Sequence, residues 1–99
     1  MRMMLKVTIP VEAGNSAIKN GTLPKTMQTT MQSLKPEAAY FFAENGLRTA
    51  LFVFNMDDVS RIPVIAEPLF MGMNAALTMI PVMNAEDLQK GLAEAAKNF

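Results

Sequence analysis

The 99-residue chain contains no cysteine, no histidine and no tryptophan. Without cysteine there are no disulfides, thiolate nucleophiles or cysteine zinc sites, which is compatible with a reducing compartment. Without histidine the chain lacks the commonest general base near neutral pH and the commonest transition-metal ligand. Any chemistry therefore has to come from carboxylates, lysine, tyrosine and hydroxyls, and we expect no metal and no other cofactor.

Charge is scarce and balanced, with nine basic and nine acidic side chains that together make 18% of the sequence. A balanced chain lacks the positive field that holds nucleic acid, so no nucleic-acid partner is expected. The N-terminal stretch MRMMLKVTIP does not have the pattern of a signal peptide, and no apolar run reaches the roughly 18 residues of a membrane helix. We expect a soluble, cytoplasmic protein with no membrane partner, folded as one domain over residues 1–99.

The first third of the chain predicts a strand and a helix. Residues 3–9 alternate apolar and polar side chains, which is typical of a strand. The polar segment 11–21 predicts a loop with at most a short helical turn. A helix is expected next, with Thr22 as its N-cap residue, and it should stop before Pro36.

The last part of the chain predicts a second helix, a strand and a terminal helix. Residues 57–75 have helical apolar spacing, but Pro68 in the interior removes a hydrogen bond and predicts a kink or two short helices. Residues 76–83 read as a strand, and Pro81 within it indicates an edge position or a bulge. Asn84 and Asp87 then have the spacing of a capping box at the start of the terminal helix.

Between these parts, the stretch YFFAENGLRTALFVF (residues 40–54) predicts a hairpin. Asn45 and Gly46 are the residue pair that a two-residue type I′ turn favours, and this turn would place Tyr40 opposite Leu51. Both alternating faces of the hairpin are mostly apolar. An antiparallel sheet with one face in water should instead alternate apolar with polar residues, so both faces are expected to be covered.

The order of the predicted elements indicates an α+β fold of the ferredoxin-like βαββαβ type with an added C-terminal helix. In this fold two helices cover one face of a four-stranded antiparallel sheet and leave the other open. Four strands of about six residues span roughly 400 Å². Leaving that area in water would forgo up to roughly 10 kcal/mol at about 25 cal/mol per Å². We therefore predict a homodimer that pairs sheet against sheet; alternatively, the terminal helix folds over the open face.

Four stretches carry a resemblance to a known group: VTIPVEAGN (7–15), KPEAAYFFAENGLRTA (35–50), IAEPLF (65–70) and PVMNAEDL (81–88). With them the chain resembles a family of small, uncharacterised bacterial proteins in the dimeric α/β-barrel superfamily. The resemblance implies the fold and the dimer, and no activity that can be transferred. Superfamily members include cofactor-free monooxygenases, muconolactone isomerases and haem-handling proteins. Several of these rely on histidine or tryptophan, which this chain lacks.

Three side chains are candidates for ligand binding. Tyr40 lies on a mostly apolar strand face, where its hydroxyl should find a ligand or a neighbouring polar group if it is buried. Arg48 beside the turn could bind a carboxylate, or could simply guard the strand end. Glu67 could act as a base if burial raised its pKa; otherwise it is a solvated helix residue.

Two further features have both a functional and a structural reading. Lys6, on the first strand, either snorkels from the sheet or pairs with an acid across the dimer. Four methionines could line a pocket for an apolar ligand, although ordinary core filling is the simpler reading. They are Met71, Met73, Met79 and Met83.

The sequence thus predicts a small homodimeric protein that binds a small apolar or aromatic ligand, in a cavity between sheet and helices or at the dimer interface. One alternative is a cofactor-free enzyme, monooxygenase- or isomerase-like, acting on a small aromatic or polyketide-like molecule through Tyr40, Arg48 or Glu67. A closed pocket that brings two of these within hydrogen-bond reach would favour it. The other is a structural or interaction module without a ligand. Fold alone does not choose among the three.

Overall fold

The computed structural model describes all 99 residues, as four strands and four helices in the order β-α-α-β-β-α-β-α. The strands are β1 (Arg2–Ile9), β2 (Ala38–Glu44), β3 (Leu47–Asn55) and β4 (Ala76–Pro81). The helices are α1 (Val11–Lys19), α2 (Thr22–Leu34), α3 (Arg61–Met73) and α4 (Ala85–Ala96). The predicted α+β class is confirmed. None of the helices has both the length and the apolar character needed to cross a membrane.

The four strands form one open antiparallel sheet in the order β2-β3-β1-β4, so β2 and β4 are its edges. The edge position predicted for β4 is confirmed. The hairpin is also confirmed: Asn45 and Gly46 both have positive φ, 54° and 75°, as a type I′ turn requires. Tyr40 lies opposite Leu51, which is the predicted register.

Three helices, α1, α2 and α3, lie on one side of the sheet and define the core. Along β1, buried residues alternate with half-buried ones, so one face of the strand is sealed. The core joins this face to β3 and to the inner sides of α2 and α3. Its main members are Met3, Leu5, Val7, Ile9, Leu34, Phe52, Phe54, Leu69 and Met73. The open face therefore contains Met4, Lys6, Tyr40 and Leu51. The sequence alone does not determine which of the two faces of the sheet the helices cover.

The segment 11–19 forms the full helix α1, so the loop predicted there is wrong. Pro10 precedes the helix with φ −58°, and Glu12 in the first turn and Lys19 in the last turn suit the helix dipole. Gly14 lowers the helix propensity of this segment, which is why the sequence did not predict the helix. In the fold Gly14 is buried together with Ala17 on the side of α1 that packs on the sheet. Tertiary packing therefore compensates for a weak local signal.

The expectations for α2 and α3 need one correction each. Thr22 is the first helical residue of α2 rather than its cap, because Gly21 occupies the cap position with φ 78°. α3 is one helix that runs through Pro68, not two short helices. Both Pro68 and Val64 are exposed, so water can bond the carbonyl that the missing proline N–H leaves without a donor.

Helix α4 begins at the predicted capping box, and its residues are not packed into the core. The capping box is present: Asp87 N donates to Asn84 Oδ1 at 2.8 Å, and Asn84 N donates to Asp87 Oδ2 at 3.1 Å. No residue of α4 is buried. The radius of gyration is 16.1 Å, against about 13 Å for a compact chain of this length. The terminal helix therefore does not cover the open face of its own sheet.

Candidate functional site

The open sheet face is the larger of two features that could carry function. On the edge strand β2, Tyr40 is 63% exposed and Phe42 is 40% exposed. Ile80 on the opposite edge strand is exposed as well. Half-buried apolar side chains fill the middle of the face, among them Met4, Leu51 and Val53. This face is an apolar surface that no segment of the chain covers.

The charged side chains on this face are paired within the chain; Arg2, on the same side of β1 as Lys6, pairs with Glu37 and Asp87. Lys6 lies opposite Leu51 in the sheet, and its side chain forms an ion pair with Glu44 at the end of β2. Within one copy Lys6 thus has an acidic partner of its own chain, and a pairing across a dimer stays a prediction. As a result, the face presents no unpaired charge between its two edges.

Arg48 lies on the other side of the sheet, under the helices. Its register partner Ile9 belongs to the sealed face of β1, and its guanidinium rests against α1. Nη2 donates to Asn15 Oδ1 at 3.1 Å and Nη1 donates to the Val11 carbonyl at 3.5 Å. Gly14 provides the space, because a Cβ atom there would meet the guanidinium. No carboxylate lies within 4.0 Å of Arg48, so its only partners are neutral.

A cavity of about 220 Å³ opens beside Arg48, between α2 and the β2–β3 hairpin. Six of its eight lining residues are hydrophobic, and Arg48 is the only charged one. The lining residues are Ile9, Leu23, Met27, Phe41, Phe42, Arg48, Thr49 and Ala50. The cavity exists because the edge strand β2 is incompletely covered: Phe41 packs edge-to-face on Phe52, with ring centroids 5.9 Å apart, yet stays exposed. The volume equals that of roughly seven waters and suits a molecule with one ring.

A larger groove of about 420 Å³ runs between α2 and α3 and contains none of the three predicted site residues. Helix α2 contributes hydroxyl side chains and Lys25 to it, whereas α3 contributes apolar residues including Val64 and Pro68. Glu67 lies outside the groove on the exposed surface of α3. The position of Glu67 is that of a solvated helix residue.

Tyr40, Arg48 and Glu67 do not come together. Tyr40 pairs with Leu51 on the open face, whereas Arg48 pairs with Ala43 on the sealed face, and successive residues of a strand point to opposite sides. Glu67 belongs to the helix layer. Their assignment as ligand-binding residues stays a prediction, but it cannot refer to one shared site in a single copy.

The cavity beside Arg48 also involves residues that the sequence did not single out. Helical spacing marks Leu23 and Met27 as core-facing residues of α2, and strand alternation places Phe41 on one of two apolar faces. Neither pattern indicates that these residues line a cavity. The suggested methionine pocket does not form, because Met73 is buried in the core while Met71 is exposed. Nothing in the periodicity revealed that α2 leaves the edge of the sheet uncovered.

Compared with known proteins, the chain matches no family model, no curated protein and no solved structure. The resemblance to the dimeric α/β barrels therefore stays a prediction. In addition, no group of three or more acidic side chains is arranged to hold a metal ion. Function has to be argued from the geometry of the open sheet face and of the cavity beside Arg48.

Proposed function

We propose that the protein is a homodimeric binding protein for a small apolar or aromatic carboxylate. Each copy is a ferredoxin-like subunit, the two copies pair through their open sheet faces as in a dimeric α/β barrel, and each cavity beside Arg48 holds one ligand. The observation that carries the ligand proposal is a half-buried guanidinium with only neutral partners, at the margin of an otherwise apolar cavity.

Recognition would combine one charge with one apolar surface. Arginine presents parallel N–H donors that match both oxygens of a carboxylate, and such charge-assisted bonds are about twice as strong as neutral ones. A ligand carboxylate would therefore displace the weak contact of Arg48 with the Val11 carbonyl at 3.5 Å. The ring would pack on Leu23, Met27 and Phe41, where it loses contact with water.

The dimer proposal rests on the apolar character of the open face. Tyr40 and Phe42 are exposed on it, and the charges of Lys6 and Glu44 are paired with each other. Burying this face in an interface therefore sacrifices little favourable solvation of charged groups. Analytical ultracentrifugation of Tyr40→Lys tests it, with Val11→Lys on the exposed surface of α1 as the matched control. We expect Tyr40→Lys to raise the dimer dissociation constant about tenfold or more and Val11→Lys to change it less than about twofold. A wild-type chain that sediments as a monomer would contradict the dimer.

Benzoate is the probe for the ligand site, and benzyl alcohol is its uncharged counterpart. Arg48→Gln should weaken benzoate binding about tenfold or more, because a hydrogen bond to a charged group contributes roughly 1.5–3 kcal/mol. Arg61→Gln, which removes an exposed arginine of α3, should leave benzoate binding unchanged. Asn15→Ala removes the neutral partner of Arg48 but keeps the charge, so benzoate should still bind. Equal affinity of wild type and Arg48→Gln for benzoate, measured by calorimetry, would reject the proposal.

One specific observation favours a second candidate, a structural or interaction module without a ligand. The apolar open face is a larger feature than the cavity beside Arg48, and it needs no small molecule to explain it. This candidate predicts a dimer that Tyr40→Lys weakens and that binds neither benzoate nor benzyl alcohol. The cofactor-free enzyme draws no support, because no two of the predicted catalytic side chains face the same cavity.

A further inference from the structure

Helix α4 carries an apolar stripe, and none of its residues is buried in its own copy. Leu88, Leu92 and Ala95 are spaced four and three residues apart, which places them on one side of α4, and Phe99 follows three residues beyond the end of the helix. Leu92 is 58% exposed and the Phe99 side chain is fully exposed. A 12-residue helix is marginal in water when no tertiary contact supports it. The stripe therefore needs a surface that this copy does not provide.

The first turn of α4 is held at the sheet by hydrogen bonds. We call the helix, Ala85–Ala96, the arm. The Arg2 guanidinium donates to Asp87 Oδ2 in the first turn of α4, at 3.2 Å, and to Glu37 Oε1 ahead of β2, at 2.5 Å. Val82 N also donates to the Arg2 carbonyl at 3.1 Å. Beyond this anchor the longest dimension of the molecule reaches 56 Å, against 28 and 18 Å for the others. The arm thus projects from the β4 edge of the sheet.

The open sheet face alone is small for a stable dimer. Its roughly 400 Å² compares with about 800 Å² per partner in standard protein interfaces. An arm of 12 residues is about 18 Å long and about 10 Å wide, and so covers roughly 180 Å². The arm that each copy gives raises the area per copy to about 580 Å², and the surface that receives the partner's arm adds up to about 180 Å² more where it lies beyond the open face. The exchange of arms therefore brings the interface close to the standard size.

The surface that an arm can cover lies at the far edge of the other copy's sheet. The exposed aromatic residues Tyr40, Phe41 and Phe42 follow one another along the edge strand β2. Two strands separate β2 from β4, so α4 of the same copy starts at the wrong edge. If the two-fold axis of the dimer is parallel to the strands, β4 of one copy lies over β2 of the other, and each arm starts beside the edge that carries Tyr40 and Phe42 on one side and Phe41 on the other.

We infer that α4 is an exchanged arm whose apolar stripe, Leu88, Leu92 and Ala95, packs together with the following Phe99 on β2 of a second copy of this chain. The inference rests on the sheet-to-sheet dimer of the proposed function and adds its second contact. The opposite side of α4 carries Lys90 and stays in water. In the dimer the arm shields the unpaired edge of the sheet as well as its aromatic side chains.

Sedimentation equilibrium of three full-length variants separates the arm from the sheet. Leu92→Asp places a charge in the stripe, and Lys90→Asp places the same residue on the opposite side of α4, with a similar loss of helix propensity. We expect Leu92→Asp to raise the dimer dissociation constant about tenfold and Lys90→Asp to change it less than about twofold. If Tyr40→Lys weakens the dimer but Leu92→Asp matches Lys90→Asp, the arm inference fails and the sheet dimer stands. If the wild-type chain is monomeric, both fail.

A photo-crosslink identifies what the arm touches. A benzophenone amino acid at position 92 is activated in dimers that mix isotopically heavy and light copies, so that mass spectrometry distinguishes links within one copy from links between two. We expect links between copies that map to residues 38–44, and far fewer when the benzophenone replaces Lys90. Links confined to one copy, or equal yields from positions 90 and 92, would overturn the inference.

Discussion

Arg48 lies directly against Gly14: a Cβ atom built on Gly14 would stand 2.5 Å from the Arg48 Nη1 atom. This contact joins the third strand to the first helix and sets the position of the guanidinium beside the cavity. It also explains a glycine inside a helix, where it otherwise costs about 1 kcal/mol relative to alanine. The first prediction follows from the conflict between these two effects.

Gly14→Ala should displace the Arg48 guanidinium and weaken benzoate binding. The helix gains up to about 1 kcal/mol in propensity, while the displaced side chain loses hydrogen bonds that contribute about 1 kcal/mol each. The free energy of unfolding should therefore change by less than about 1 kcal/mol, as measured by urea denaturation. Gly72→Ala in α3, where a Cβ meets nothing within 4 Å, should instead stabilise the fold and leave benzoate binding intact. Unchanged benzoate affinity in Gly14→Ala would contradict the role given to this contact.

Leu23→Trp should fill the cavity beside Arg48 and block both benzoate and benzyl alcohol. Because the cavity is open to solvent, the larger tryptophan side chain should lower the free energy of unfolding by less than the roughly 1–3 kcal/mol that overpacking costs in a closed core. Because the natural chain has no tryptophan, the new residue is also a unique fluorescent reporter of the site. Ile18→Trp, on the exposed side of α1, is the control and should still bind both probes. Probe binding that survives Leu23→Trp would place the ligand elsewhere.

Lys35→Gly should stabilise the chain. Lys35 ends α2 with φ 47°, a left-handed conformation that costs a residue with a Cβ roughly 1 kcal/mol. Glycine removes that strain, although its greater freedom in the unfolded state offsets part of the gain. We expect a net increase of up to about 1 kcal/mol in the unfolding free energy. Lys25→Gly inside the same helix should have the opposite sign, and destabilisation by both variants would rule out the explanation.

Gly46→Ala should destabilise the hairpin by about 1 kcal/mol, because alanine would have to adopt a positive φ. Gly46 has φ 75°, and a Cβ there would meet nothing within 4 Å, so the cost is purely conformational. Chemical denaturation of Gly46→Ala and wild type measures it. A neutral result would mean that the turn can change type without disturbing the register of β2 and β3.

Acid should reduce the contribution of one hydrogen-bonded carboxylate. The Ser60 hydroxyl, followed by the Ser60 backbone N–H, donates to Asp58 and lowers the pKa of this carboxylate below its ordinary value of 3.8. The folded state thus binds this proton less readily than the unfolded state. The stabilisation is therefore present above about pH 4 and is lost as the pH falls through the lowered pKa. Ser60→Ala should be less stable than wild type near pH 7 and should approach it in strong acid. An equal difference at both values would contradict this linkage.

Local sequence signals predicted the parts of the fold that are decided locally. The Asn45–Gly46 pair fixed the hairpin register, and the Asn84–Asp87 spacing fixed the start of α4, because each involves a few residues close together in sequence. The helix α1 escaped prediction, because its glycine reads as a breaker until Arg48, 34 positions later in the chain, is known to lie against it.

The candidate site was harder to predict than the fold. Arg48 was identified as a possible carboxylate partner, but Tyr40 and Glu67 were grouped with it although they lie on other surfaces. Strand parity alone separates Tyr40 from Arg48 once the register is known. The cavity itself depends on how far α2 extends over the edge strand, which is a tertiary relation that apolar periodicity does not encode.

The uncovered edge strand has a consequence for the handling of this protein. The run AAYFFA of β2 has no charge and no proline, the composition that favours amyloid-like cross-β stacking when backbone groups are unpaired. The acids that flank it, Glu37 and Glu44, are both engaged in ion pairs, with Arg2 and Lys6. Dilute or acidified preparations should therefore form thioflavin-positive fibrils that begin at this strand, and aggregation rather than unfolding should set the shelf life of the purified chain.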